Sequence, residues 1–452
     1  MAKYQIYQNQ IATHNSWIKS LPREWQIVPL KYMCSGFVKD GPHETPKFID
    51  EGIPFLSVDG IQNNKLVFEG CRYISIEDDN RFSLKCKPQK GNILLGKAAS
   101  VGKVAFVESD YDFNVWSPLA VISPKDIRLG KFIFYCLQSY ELQLQCDVFS
   151  NSNTQKNLGM TTIDNLTFPY PSIYEAEKIS QFLDHETAQI DSLIAKQEKL
   201  IELLKEKRQA VISHAVTKGL NPDVAMKDSG VEWLGQVPEH WAVAKLAYRY
   251  EVLLGKMLDE SKITGNYLGK YLRNTDVQWG RVNSENLPEM DFRPHEIERY
   301  SVQQGDLLVC EGGEIGRCAI WESEDTCFYQ KALHRLRAYS SQDSHKFMFY
   351  VLFDSVHRER FISGAGKATI AHLPAETFKQ YRFAFPPKNE QVQIVEYLDT
   401  MSKAFDEIET KALAQIKLLQ ERRTALISSA VTGKIDVRNW RHPNEAKTEF
   451  GA

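Results

Sequence analysis

The side chains of this sequence best suited to chemistry are amides, small hydroxyls, carboxylates and basic groups that gather where short β-rich runs end. Ser57, Asp59, Gln62, Asn63 and Asn64 follow IPFL; Lys97, Ser100 and Lys103 lie in GKAASVGK; Asn153, Thr154 and Lys156 close SNSNTQK. A second set repeats the plan. Arg273, Asn274, Asp276 and Gln278 follow KYL, Glu311, Glu314 and Arg317 lie in EGGEIGR, and Lys367 and Thr369 lie in SGAGKAT. Such groups suit the reading of base edges: arginine matches the acceptors of guanine, asparagine and glutamine match adenine, and carboxylates accept from the cytosine amine. Polar loops occur on any surface, so what favours recognition is a contrast between the two sets. Lys97 stands where the second set has Glu311, although the frame around them is kept.

Bond-making machinery is missing from the sequence. It has no GxxxxGK[ST] phosphate loop, no HExxH, no GxSxG and no NPP[FY], so catalysis on this chain is not expected. EGGEIG and its counterpart GKAASVG do not share their glycines and read as tight turns between strands. The eight cysteines are scattered, without CxxC or a Cys/His spacing that would make a tetrahedral site, which predicts reduced core thiols and no metal. No apolar run approaches the roughly 18 residues of a membrane span, and the first residues lack the apolar core and cleavage site of an export signal. A cytoplasmic protein without a membrane partner is the expectation.

The elements that position these residues occur twice. LPREWQIVPLKY at 21–32 returns as VPEHWAVAKLAY at 237–248, keeping Pro22/Pro238, Trp25/Trp241, Leu30/Leu246 and Tyr32/Tyr248. KGNILLGKAASVGKVAFVE at 90–108 aligns with QGDLLVCEGGEIGRCAIWE at 304–322, and AVISHAVTKG at 210–219 with ALISSAVTGK at 425–434. Solenoid repeats run about 20 to 50 residues; a period this much longer means a duplicated domain pair. Residues 21–170 and 237–385 each hold short strand-like runs and one helical stretch, at 131–146 and 345–361. Each then meets proline, in FPYPS and FAFPPKNE, where a helix starts.

Those helices are long. Leu183, Ile190, Gln197, Leu204 and Val211 recur every seven residues, as do Leu398, Phe405, Ala412, Leu419 and Leu426. Leu193 and Leu200, three positions after members of the first series, and Met401 and Ile408 beside the second, complete the expected seam of a coiled coil. A helix of this length reaches roughly 60 Å at 1.5 Å per residue. The narrow stripe needs a partner, and the other copy is the obvious one, running antiparallel. Gln197 would then share a layer with Ala412 and fix register, or else face solvent. The fold class expected is α+β: two pseudo-repeated α/β domains joined by two long helices that form an antiparallel coiled coil. The divisions are 1–20, an N-terminal extension; 21–170, the first domain; 171–220, a helical spacer; 221–236, a linker; 237–385, the second domain; 386–435, a second spacer; and 436–452, a polar tail.

Charge alone does not point to a polyanion. The formal net charge is −3, with 16 Lys+Arg against 17 Asp+Glu in 21–170 and 19 against 20 in 237–385. Phosphate neutralisation would have to come from local patches or from a partner protein.

The phrases KDSGVEWLGQVPEHWAV at 227–243, AVISHAVTKGL, ALISSAVTGKID, and FPP..EQ..I..YLD at 385–399 make nearly the whole chain resemble the specificity subunit of type I restriction-modification systems. The resemblance implies two target-recognition domains, each reading half of a split double-stranded DNA site, with the helices setting the spacer. It also implies two methyltransferase subunits carrying S-adenosylmethionine, and restriction subunits that use ATP and Mg for translocation and cleavage. No cofactor is expected on this chain. The charge puzzle then eases, because partners closing on the duplex can share the phosphates. At 174–177 the first copy reads YEAE where the second has NEQV, yet both keep an acid, Glu175 and Glu390, at a helix start. Two rivals are a coiled-coil scaffold whose heads bind proteins, and the recognition module of a methylation-only or phage-defence system.

Overall fold

The computed structural model describes residues 4–150, 156–259, 263–361 and 372–443. The chain forms two compact units, Met1–Glu198 with Leu413–Ala452, and Lys199–Ala412. Each unit thus takes one globular domain and half of each long helix.

In unit 1 a four-stranded antiparallel sheet runs in the order Val104–Phe106, Ile93–Gly96, Leu119–Ile122, Lys39–Asp40. A second sheet centres on Ile53–Leu56, flanked antiparallel by Arg72–Ile74 and parallel by Asn114–Val115. Ile93, Leu95, Ala120 and Ile122 face helix Ile127–Gln138, which presents Leu129, Phe132 and Ile133 in return; all of these are fully buried. Asp126 and Ser139 cap that helix and the next, Tyr140–Phe149, by accepting from Arg128 N and Leu142 N. Thr167–Tyr170 pairs with Gln26–Pro29, so the domain closes on its own beginning before the long helix departs.

Unit 2 repeats the order. Cys318–Ile320, Leu307–Cys310, Leu333–Ala338 and Tyr250–Leu254 form the antiparallel sheet. Leu268–Leu272 lies parallel to Cys327–Tyr329 and antiparallel to Glu289–Asp291, and Ala242–Lys245 pairs with Arg382–Phe385 to close the domain. The duplication extends to a steric requirement that the text of the sequence does not advertise. A Cβ on Gly41 would stand 1.9 Å from Val115 O, and one on the matching Gly255 2.3 Å from Gln330 O, so only glycine lets this strand end pass the parallel pair.

The segments read as an extension and a linker turn out to be the same element. Gln10–Ala12 pairs antiparallel with Ser20–Pro22 in unit 1, and Met226–Asp228 with Gln236–Pro238 in unit 2. Behind each hairpin sits its tryptophan, Trp25 or Trp241, nearly or fully buried. Each long helix ends on one of them. Gly433, at φ +68°, packs beside Pro22 and Trp25, while Gly219, at φ +76°, packs beside Trp241 and Glu390. Both take the left-handed conformation that terminates a helix without a Cβ penalty.

The long helices are Ile173–Lys218 and Lys388–Val431, of 46 and 44 residues. In unit 1 Leu183 and Ile190 share a buried cluster with Leu419 and Leu426. In unit 2 Lys205 pairs with Glu409 and Arg208 with Asp406, partners that descend as their counterparts ascend, so the segments run antiparallel. Leu398, Phe405 and Ala412 are buried, and Gln197, Leu204 and Val211 half-buried. The companion series needs correction. Leu193, Leu200 and Ile408 are exposed, because the seam takes the position four residues after each member rather than three: Thr187, Ile194, Ile201, Arg208 and Ala215 are covered instead. The starts are as the sequence suggests. Ser172 Oγ accepts from Glu175 N at 3.2 Å, and Glu175 is itself buried against the hydroxyl of Tyr7, while Glu390 receives His240 at 2.8 Å.

Candidate nucleic-acid interface

In each unit the polar loops converge because the two sheets end side by side. In unit 1 the turn after Ile53–Leu56 puts Val58 against Gly96, at the root of the 97–103 hairpin. Ala98 bridges Asn157, and Leu158 N donates to Lys97 O, which brings Asn157 and Leu158 alongside. Asn63 and Asn64, at φ 49° and 60°, form the two-residue turn between Ile61–Gln62 and Lys65–Leu66, a geometry that asparagine tolerates. Ser57, Asp59 and Gln62 line an open cavity of about 380 Å³ with Glu69, Arg72 and Trp116. Arg72 and Trp116 were not among the residues singled out from the sequence; each lies far along the chain from IPFL, and no local pattern marks it.

Lys97 is the clearest correction. It is not an exposed tip but a buried strand end, with Nζ 3.2 Å from Asp40, which also binds Lys85 at 2.5 Å and His43 at 3.2 Å. Burial works against the Asp40 carboxylate, but Lys85 and Lys97 hold it below the ordinary carboxylate range. Lys97 therefore braces the hairpin. Lys103 is exposed, Ser100 half-buried, and Lys156 pairs with Asp147. Asn153 and Thr154 lie outside the described residues, as do Lys367 and Thr369.

Unit 2 gathers Arg273, Asn274, Asp276, Glu314 and Arg317 into one network. Arg273 grips Asp276 with both Nε and Nη2 at 2.9 Å. Arg317 Nη2 donates to Asn274 O at 2.9 Å and Nη1 reaches Glu314 at 3.3 Å, while Trp279 Nε1 donates to Glu314 at 2.7 Å. Asp276 is another correction: it is buried, and although burial opposes its charge, Arg273 holds it ionised below the usual range. It shapes the loop and does not reach outward. Arg273 and Glu314 keep roughly half of their side chains in solvent. Gln62 and Gln278 make the same bond, to Asp59 O at 3.4 Å and Thr275 O at 2.9 Å. They belong to the shared frame, not to the contrast.

Unit 2 also carries a buried histidine where unit 1 has Ala120. His334 Nε2 donates to Leu373 O at 2.7 Å, and its Nδ1 has no partner among the described residues. Burial pushes its pKa down to about 4, outweighing that hydrogen bond. A depressed folded pKa means that the unfolded chain binds the proton first, so stability is full above about 6.5 and falls as the pH drops toward 4. Going from pH 7.5 to 5 is expected to cost roughly 2 kcal/mol. Urea titrations of the chain and of His334→Met would check this; an equal loss in the variant removes the assignment.

The eight cysteines are free, and all but Cys71 are buried. Among the described residues no cluster of three or more His, Cys, Asp or Glu could hold a metal, and no helix is long and apolar enough to cross a membrane.

The type I restriction-modification DNA specificity domain matches residues 22–203 and again 255–418, one match for each copy of the frame just described. The chain belongs to that family. Among type I restriction enzyme specificity subunits, it is 23% identical over 445 residues to the EcoKI subunit of Escherichia coli (strain K12), covering 94% of this chain and 92% of that one. The MjaVIII subunit of Methanocaldococcus jannaschii is 22% identical over 441 residues, covering 93% and 95%. A chain from a structure described as the basis of complex assembly and conformational transition of the type I R-M system superposes with a TM-score of 0.68, at 14% identity, over 92% of this chain and 99% of that one. The HsdS subunit of Thermoanaerobacter tengcongensis does so at 0.52, also at 14% identity, over 92% and 98%. These two show the specificity-subunit fold, with its repeated domains and long helices.

Proposed function

We propose that this chain is the DNA-recognition subunit of a type I restriction-modification complex, reading a split double-stranded site with one globular domain per half-site. The observation that carries this is a shared scaffold with unlike contents. Strand order, glycines and tryptophans recur, whereas the converging loops are braced by an Asp40–Lys97–Lys85 cluster in unit 1 and hold an arginine–carboxylate–tryptophan network in unit 2. A duplicated enzyme would repeat its reacting groups. Ser57, Asp59, Gln62, Asn63, Ser100 and Lys103 in unit 1, with Arg273, Asn274, Gln278, Glu314 and Arg317 in unit 2, are the loop residues nearest to that role. Two methyltransferase subunits would supply S-adenosylmethionine chemistry, restriction subunits the ATP- and Mg-dependent steps, and this chain no catalytic group.

Methylome sequencing of cells expressing the chain with its cognate methyltransferase tests the reading. One bipartite motif with a single gap is expected. A complex that binds every duplex alike, or none, would instead favour a protein scaffold. The helices make a further expectation: four residues inserted after Gln197, about 6 Å of helix, change the tolerated gap and not the bases read. An unaltered gap would dismiss the spacer role.

A further inference from the structure

Outside the loops, a cluster of charged and polar side chains recurs in both units with all but one of its members matched. In unit 1 Lys131 and Tyr135, one turn apart on helix Ile127–Gln138, both bind Asp184 of the first long helix, at 2.7 and 2.8 Å. Two turns further, Arg423 of the second long helix holds Asp191 at 2.8 Å and Gln138 Oε1 at 2.9 Å. Unit 2 has the same residue types at the matching positions, except that Phe353 stands where unit 1 has Gln138. Tyr350 binds Asp399 at 2.5 Å, Lys346 lies 3.5 Å from it, and Arg208 pairs with Asp406. A repeated serine adds to each: Ser428 Oγ accepts from Tyr140 N at 2.8 Å, and Ser213 Oγ from Arg358.

The retained cluster sits where each globular domain meets its helix segments. Apolar packing joins them, through Phe132, Ile133, Phe182 and Leu183 in unit 1, but such contact is non-directional. Hydrogen bonds to charged groups fix direction as well as distance. Asp184 and Asp191 are seven residues apart on one helix, about 10 Å along its axis; Asp184 binds the domain directly and Asp191 through Arg423, which reaches Gln138, so the unit 1 domain is held at two points. In unit 2 Arg208 and Asp406 join the two long helices, and the second hold on the domain is made beside them, by Gln209 on Asp354 and by Ser213 on Arg358. One point would leave rotation free; two do not. The loops differ between the units, whereas the lysine, tyrosine, arginine and both aspartates of the cluster are kept, so their task is common to both.

We propose that the duplicated Lys–Tyr–Asp and Arg–Asp cluster is a two-point latch that sets the angle of each reading domain on its own helix segments. Lys131, Tyr135, Asp184, Asp191 and Arg423, with their matches in unit 2, are then positioning residues for selection of the gap between half-sites, not base contacts. This rests on the recognition reading. A base-pair step is about 3.4 Å, so a small loosening of the angle admits a neighbouring gap.

The test uses the full chain expressed with its methyltransferase and read by methylome sequencing. Tyr135→Phe with Lys131→Met removes the donors while keeping most of the side-chain volume. Expected is a rise of about tenfold in methylation at sites whose gap differs by one base pair, with the same bases read and the chain still folded at the growth temperature. Asp191→Arg and Arg423→Asp each relax the gap, and the two together restore it, which simple loss of packing would not do. A gap as sharp as in the parent chain overturns the proposal. So does loss of methylation at every gap with the fold intact, which would place the cluster in docking or recognition. If the first variant is unfolded at that temperature, the reversed pair decides. A parent chain that methylates no bipartite site defeats the recognition reading itself, before any variant is made.

Discussion

Exchanging residues 21–170 for the same stretch of another family member is expected to change one half of the methylated site and leave the other half and the gap as they were. The structure keeps the closing pair of the domain within the exchanged piece. Thr167–Tyr170 and Gln26–Pro29, which pair to close the domain, both lie inside the exchanged piece, so the closure travels with it. The Asp40–Lys97 brace travels too. Each wrong base pair costs about 1–3 kcal/mol, so two or three mismatches in a half-site remove recognition of the old sequence by several orders of magnitude. Methylome sequencing of the hybrid reads both halves at once. If both halves changed, the two domains would not be independent readers.

The second large effect is on stability. Leu398 is fully buried in the unit 2 core, in the cluster that holds Trp241, Phe347 and Ile394. Leu398→Asp places a carboxylate there with no cation provided for it. The loss of apolar burial and the cost of an unpaired charge together exceed about 5 kcal/mol, enough to unfold a unit of ordinary stability. The same change at Leu204, a seam position left half-buried, is expected to cost a fraction of that. Denaturant titration of the two variants checks the order, and a Leu204→Asp chain as damaged as Leu398→Asp would mean that the seam is more tightly closed than described.

The duplication, the two long helices and the charged residues at their starts were legible because they are written locally: matched phrases, heptad spacing, proline followed by an acid. The seam was half legible. Leucine at 193 and 200 outweighed position, yet a helix face is set by angle, and the covered places go to Thr187, Ile194 and Arg208. The hairpins at 10–22 and 226–238 match in backbone pairing, and Trp17/Trp233 and Ile18/Leu234 carry the repeat into them, a signal the sequence reading passed over. Lys97 was misplaced for a different reason. Its partner Asp40 lies far along the chain, and only the packing of Lys39–Asp40 beside Leu119–Ile122 brings the two together. Asp276 was likewise taken for a fingertip because its burial depends on the fold, not on the polarity of its neighbours.

Unit 1 is completed by Leu413–Ala452, whereas unit 2 is one uninterrupted stretch, Lys199–Ala412. During synthesis the later half of the protein can therefore finish first. The earlier half must wait on the ribosome with a gap in its interior, until Leu419, Leu426, Ile427, Ala430 and Val431 emerge to fill it. Most multidomain chains mature from the front. Here the front is expected to mature last, with an unfinished chain exposing the sticky interior of its own beginning.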